Sequence, residues 1–213
     1  MKVERLTKPA FDRALGILGD RDPDLGCVLS SLGPPPMWVR GPGFPTLVRV
    51  ILEQQVSLAS ARAAFKRLRQ SVPALTPDRF LELNGERLRQ MGFSSQKTRY
   101  CRNLAKAITE GSLCLEWLEA MDDDQARAQL VKIKGIGRWT ADIYLVMALR
   151  RPDVWPMGDL ALNAAVERVK RLKARPSWQE LMAISETWKP WRAVAARLLW
   201  HYYLSNPLVR RYR

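Results

Sequence analysis

Between Leu130 and Asp142 the chain runs Leu-Val-Lys-Ile-Lys-Gly-Ile-Gly-Arg-Trp-Thr-Ala-Asp, a helical pattern broken by Gly135-Ile136-Gly137 and resumed at once. Glycines admit positive φ and a tight hairpin. The second helix would then open with backbone N–H groups pointing outward at the positive end of its dipole, a cradle for phosphate. Lys132, Lys134 and Arg138 add positive charge around it. Contacts made through backbone amides hold a nucleic-acid backbone without reading its bases. An ordinary helix–turn–helix corner would carry the same Gly-x-Gly, so the pattern alone leaves both readings open. Further on, Asp159 follows Arg151-Pro152-Asp153-Val154-Trp155-Pro156-Met157-Gly158. Two prolines there forbid a helix interior. An irregular segment therefore delivers a carboxylate to the start of the next helix, where it can serve as the N-cap.

The elements that must position these residues read as helices almost throughout, with no β-branched alternation of five or more residues. Helices are expected near 8–18, 23–31, 44–55, 58–71, 77–83, 85–90, 96–110, 113–120, 123–132, 138–149, 159–172, 178–187 and 190–204. Turn signals such as Gly33-Pro34-Pro35-Pro36, Asn84-Gly85 and Arg175-Pro176-Ser177 separate them. Ser57, Asp78, Ser95, Asp123, Asp159 and Ser177 stand where N-caps are expected. The fold class is all-α. The Gly/Pro-rich stretch 33–45 and the prolyl segment 151–158 suggest two lobes, 1–36 plus 151–213 and 37–150.

The 213 residues carry 35 Lys+Arg against 21 Asp+Glu, a formal net charge of +14. The excess is uneven: residues 1–33 hold five charges of each sign, residues 165–213 eleven Lys/Arg and three Asp/Glu. That asymmetry points to a polyanionic partner. Three scattered cysteines without a C-x-x-C pair argue against a zinc site, a redox switch or an iron–sulfur cluster, and fit a reducing, cytoplasmic setting. No secretory leader or membrane-spanning run is visible, so no membrane partner is expected.

Five ordered motifs together resemble the helix–hairpin–helix DNA glycosylases of base excision repair, and within them the AlkA-type 3-methyladenine branch. They are Ile51-Leu52-Glu53-Gln54-Gln55-Val56-Ser57, Gly92-Phe93-Ser94-Ser95-Gln96-Lys97, Lys134-Gly135-Ile136-Gly137-Arg138-Trp139-Thr140-Ala141, Trp155-Pro156-Met157-Gly158-Asp159-Leu160 and Trp188-Lys189-Pro190-Trp191-Arg192. The resemblance implies a two-lobed helical fold with the active site in the cleft between lobes. It makes Asp159 the catalytic carboxylate and Lys134, Gly135, Ile136, Gly137, Arg138 and Thr140 the phosphate contact. Trp139 and Trp200 match positions lining the family's base pocket, and Trp38, Phe44, Tyr144, Trp155 and Tyr202 are candidate further walls, although any single aromatic is more often core. Gln55 falls at the position that fills the gap left by a flipped base, with Gln54 beside it. As an alternative, both glutamines could simply bond the end of their helix.

Bifunctional relatives carry a hairpin lysine where this chain has Trp139, so no Schiff base with the sugar is expected. With a single histidine and no evident second carboxylate to protonate a leaving base, general-acid help looks poor. The expected substrates are therefore already cationic: alkylated purines such as 3-methyladenine and 7-methylguanine, drawn to aromatic faces. Ile143 replaces a pocket tyrosine of some members. The alternatives are a same-fold glycosylase for deaminated or neutral bases and a non-catalytic hairpin DNA-binding module. The expected partner is damaged double-stranded DNA, bound by a monomer without a cofactor; a monovalent cation between hairpin and phosphate is the one candidate ion. Larger members carry an N-terminal β-rich domain for which the residues before Met37 leave no room, so a compact form is expected. Basic helices 58–71 and 96–110, and the tail Arg210-Arg211-Tyr212-Arg213, are candidates for further phosphate contacts.

Overall fold

The computed structural model describes residues 4–207, and among them regular structure is entirely helical. In chain order the helices are α1 (Lys8–Arg21), α2 (Pro23–Leu32), α3 (Phe44–Glu53), α4 (Leu58–Ser71), α5 (Pro77–Leu81), α6 (Gly85–Gln90), α7 (Ser95–Thr109), α8 (Asp123–Val131), α9 (Arg138–Met147), α10 (Leu160–Val169), α11 (Trp178–Glu186) and α12 (Arg192–Ser205). Only the expected helix at 113–120 fails to form; a single 3-10 turn, Trp117–Glu119, stands in its place. Its sequence, Leu113-Cys114-Leu115-Glu116-Trp117-Leu118, buries all three leucines but has no side-chain cap to start a helix.

Capping chemistry sets most boundaries. Ser57, Asp159 and Ser177 each accept a hydrogen bond from a first-turn amide, as their positions suggested. Three expected caps shift upstream, to Thr76 instead of Asp78, Ser94 instead of Ser95 and Asp122 instead of Asp123. Neighbouring oxygen-bearing residues compete for one cap position. Pro77 at the first position of α5 favours Thr76, and the reciprocal bonds between Asp122 and Gln125 favour Asp122.

The chain divides into two compact units, one of Arg40–Leu149 and one of Glu4–Val39 with the described residues from Arg150 on. The first is built around α3, buried from Leu47 through Glu53 apart from Arg49, and packed against α4, α7 and α9. The second is built around α12, which touches α1, α2 and α10 and is buried without interruption from Ala193 to Trp200. An N-terminal segment completes this unit. The Leu6 amide donates to the Arg150 carbonyl at 2.7 Å, and Asp22 accepts from Lys170 Nζ at 2.6 Å and Trp188 Nε1 at 2.7 Å. Arg197, fully buried in α12, donates to the carbonyls of Met37 and Ala193, and burial pushes its pKa down to about 10. Among the described residues no helix is long and apolar enough to cross a membrane.

Candidate functional site

The Gly-x-Gly segment forms the expected hairpin between α8 and α9. Gly135 sits at φ +111, a region closed to side-chain-bearing residues without strain, and a Cβ there would collide with the ring of Tyr100. Ile136 is the hairpin's buried pin, 3% exposed, its amide donating to the Ile133 carbonyl at 2.9 Å. That amide is spent inside the turn, so Ile136 is a structural residue rather than a phosphate ligand. Thr140 is corrected in the same way. It is 1% exposed and its Oγ1 accepts from Gln54 Nε2 at 2.9 Å, so its hydroxyl faces inward. What the hairpin presents outward is Lys134, Gly137 and Arg138, all exposed, with Gly137 as the N-cap of α9. No side chain caps that helix, whereas serine, threonine, asparagine or aspartate caps α4 to α8, α10 and α11. The leading end of α9 thus keeps its positive dipole facing an exposed surface.

Other elements hold this turn in place. Gln54 donates to the Gly135 carbonyl at 3.0 Å as well as to Thr140, so it straps α3 to the hairpin and is not a wedge. Asn103 of α7 donates to the Lys134 carbonyl at 3.1 Å. Asp142, fully buried, accepts from Arg127 Nε at 2.6 Å and lies 3.7 Å from Arg138 Nε, fastening α8 to α9. Gln55 differs from its neighbour. It is exposed and stands in the left-handed region at φ +54, a conformation that costs a non-glycine residue about 1 kcal/mol or more. Lys97 also turns inward, its Nζ donating to the Leu52 carbonyl at 2.5 Å and capping the end of α3 rather than waiting for a phosphate. Burial lowers its pKa.

In the second unit Asp159 is the N-cap of α10. Its Oδ1 accepts from the Leu162 amide at 2.9 Å and from Trp200 Nε1 at 3.3 Å, and the residue is 8% exposed. The prolyl segment is pinned behind it: Asp153 accepts from the amide, Nε and Nη2 of Arg192, and Trp155 packs on Trp188 with centroids 5.4 Å apart. A carboxylate bonded at once to a helix-start amide and to an indole is arranged to keep its direction.

The aromatic candidates divide sharply. Tyr144 is fully buried in α9, its hydroxyl accepting from the Gly43 amide at 2.9 Å, and burial pushes its pKa up to about 12. Phe44 is 4% exposed and stacks edge-to-face on Phe80 at 5.7 Å. Both are core residues, not pocket walls: Phe44 faces Phe80 of α5, and Tyr144 is bonded to the start of α3. Trp155 is core as well, 4% exposed. Trp139 is half-buried in the first turn of α9, Trp38 is half-buried at φ +46 with its ring edge-on to His201, and Trp200 carries the bond to Asp159.

Over residues 48–191 the sequence matches the family described as HhH-GPD superfamily base excision DNA repair protein. The chain belongs to that superfamily. It is 30% identical over 161 residues to DNA-3-methyladenine glycosylase 1 of Schizosaccharomyces pombe, covering 74% of this chain and 71% of that protein. It is 32% identical over 165 residues to YfjP of Bacillus subtilis, covering 74% of this chain but 58% of the Bacillus protein. Among solved structures, the S. pombe 3-methyladenine DNA glycosylase Mag1, in complex with abasic DNA, is similar with a TM-score of 0.81 at 28% identity, over 88% of this chain and 95% of that one. A DNA-3-methyladenine glycosidase from Bacillus halodurans gives 0.75 at 28% identity, over 93% and 92%.

The HhH-GPD match takes in Gln55, the hairpin and Asp159, while Trp38 and Trp200 lie outside it. The all-α class agrees with that fold. Sequence reasoning missed Tyr100, Asn103 and Arg127, the side chains that hold the hairpin. Their only signal is their place on α7 and α8, and no local pattern announces a contact made across more than thirty residues for Tyr100 and Asn103. The basic tail at 210–213 lies outside the described residues.

Proposed function

We propose that the protein is a monofunctional DNA glycosylase that hydrolyses the N-glycosidic bond of alkylated, cationic purines in duplex DNA and leaves an abasic site. The observation that carries this reading is Asp159: a nearly buried carboxylate held at a helix N-terminus by one amide and one indole. As a purine departs, the deoxyribose gains oxocarbenium character, and a fixed negative charge near it lowers that barrier. Family membership and the names of the S. pombe and B. halodurans relatives support the same chemistry.

The remaining parts follow in this reading. The uncapped end of α9, with Gly137, Arg138 and Lys134, takes a phosphate and fixes the duplex without reading sequence. Carbonyls at Lys134 and Gly135 each accept one side-chain bond and keep a second lone pair, so acceptor capacity remains there for a monovalent cation bridging to the phosphate. No other cofactor is invoked, and one copy of the chain suffices. Gln55, exposed and strained, fills the stack that the flipped base vacates. Trp200, bonded to Asp159, supplies a face for a cationic base, an attraction of roughly 0.5–2 kcal/mol. Trp139 occupies the hairpin position at which a lyase would carry an amine, so the abasic strand stays intact.

The test is a set of duplexes carrying 3-methyladenine, 7-methylguanine or hypoxanthine, with free base and strand cleavage measured separately. Release of methylated bases, with strand breaks only after alkali, is the expected result. Release of hypoxanthine alone would move the substrate class to deaminated bases. No release from any duplex would leave a binding module.

A further inference from the structure

Along α7, Ser95, Arg99, Arg102 and Lys106 recur at intervals of four, three and four residues and so share one face of the helix. The opposite face, Cys101, Leu104, Ala105 and Ala107, is buried. The basic face forms, with Gly85 and Arg89 of α6, the wall of an open groove of about 700 Å³. No acidic residue lines it. Arg89 lies 3.9 Å from Glu86, while Arg99, Arg102 and Lys106 have no carboxylate within 4 Å among the described residues. Arg102 is braced by donating to the Leu83 carbonyl, which holds its guanidinium in the wall. Hydroxyls of Ser94, Ser95 and Thr98 line the same concavity. A solvated helix face normally intersperses charges of both signs; this face of α7 carries three cations and no acid.

The groove is continuous with the hairpin. Asn103 lines it and also donates to the Lys134 carbonyl, and Tyr100, which blocks any Cβ at Gly135, lies under the Arg99 guanidinium at 5.9 Å. We propose that this α6–α7 groove is a second DNA-backbone site, which takes the phosphates that continue along the strand from the one held at the hairpin. Concave shape, hydroxyl donors and uncompensated arginines suit a phosphate chain. The groove anchors undamaged and damaged duplex alike and lets the enzyme stay on DNA while it searches. It rests on the hairpin being a duplex contact, and the test separates the two.

Affinity for an undamaged duplex of about two helical turns is measured against salt for the wild type, for R99A/K106A and for R13A/R79A, which removes equal charge from exposed positions of α1 and α5. Each lost phosphate contact flattens the log–log slope by about 0.9. R99A/K106A is expected to reduce the slope by nearly two and R13A/R79A to leave it unchanged, with thermal melting the same in all three. A slope unaffected by R99A/K106A, or reduced equally by both pairs, overturns the groove while leaving the hairpin reading intact. A wild type without salt-dependent duplex binding overturns both. R99K/K106R is expected to restore the slope, because the site uses charge.

Discussion

At the hairpin, side chains hold a backbone; at Asp159, a backbone amide and an indole hold a side chain. Gln54, Asn103, Tyr100 and the Arg127–Asp142 pair all serve to keep one turn in shape, and the groups turned outward are the first-turn end of α9 and three exposed residues. Function there is distributed, so single substitutions should weaken it by degrees. In the second unit the proposed chemistry rests on one carboxylate, whose loss should remove the reaction while sparing the fold.

The largest effect is expected from Asp159→Asn. Asparagine caps a helix as well as aspartate does, so α10 and thermal stability should be retained. Base release in single-turnover assays should fall on the order of 1,000-fold, a magnitude typical of deleting a preorganised charge-stabilising group, with duplex affinity unchanged. Unaltered release would dissolve the contrast, leaving Asp159 a cap alone.

Next comes Gly135→Ala, which combines a positive φ with a collision against Tyr100. A loss of about 3 kcal/mol in denaturant unfolding is expected, with duplex binding weakened in the fraction that folds. Adding Tyr100→Ala should recover the part due to collision and not the part due to φ. If Gly135→Ala alone melts like the wild type, the hairpin is not the rigid element described.

Asp22 sharpens the comparison from within the second unit, because it caps α2 as Asp159 caps α10 but is committed to Lys170 and Trp188. Burial alone would raise its pKa, yet the bonds from Lys170 and Trp188 outweigh that and hold it below the ordinary 3.8. With the folded pKa below the unfolded one, its stabilisation is complete above the unfolded value and is lost as pH falls through the folded one. Asp22→Asn should cost about 1–3 kcal/mol at neutral pH, because the bonds from Lys170 and Trp188 lose their charged acceptor, and the gap from wild type should narrow as pH drops below about 4. A gap constant with pH would mean the ion pair contributes nothing.

The smallest effect is expected at the strap. Gln54→Ala removes two hydrogen bonds and should cost about 1–2 kcal/mol of stability, with several-fold weaker duplex binding and an unchanged rate of base release at saturating DNA. A changed rate with unchanged binding would restore Gln54 to the wedge role that its sequence position suggested.

The helices were legible because their signals are local. Apolar period, Pro at first positions and Ser, Thr or Asp at caps act within one turn, and eleven of the twelve α-helices begin within one residue of their expected start. The other, α12, begins two residues late, after Lys189-Pro190-Trp191. Segment 113–120 misled because leucine spacing can be met by a 3-10 turn as well as by a helix. Side-chain roles were legible only where backbone geometry dictated them, as at Gly135 and Asp159.

By itself, then, the sequence determined a helical chain, a Gly-x-Gly hairpin and an aspartate delivered by a prolyl loop to a helix start, because torsional freedom and capping are properties of a few adjacent residues. Which glutamine is a strap and which is exposed, that Thr140, Tyr144 and Phe44 face inward, and that α7 sets a basic groove beside the hairpin were decided by tertiary structure. A side chain on a helix can turn toward core or solvent with the same local pattern. Packing against residues distant in sequence makes that choice, since only there is the cost of burying or exposing it settled.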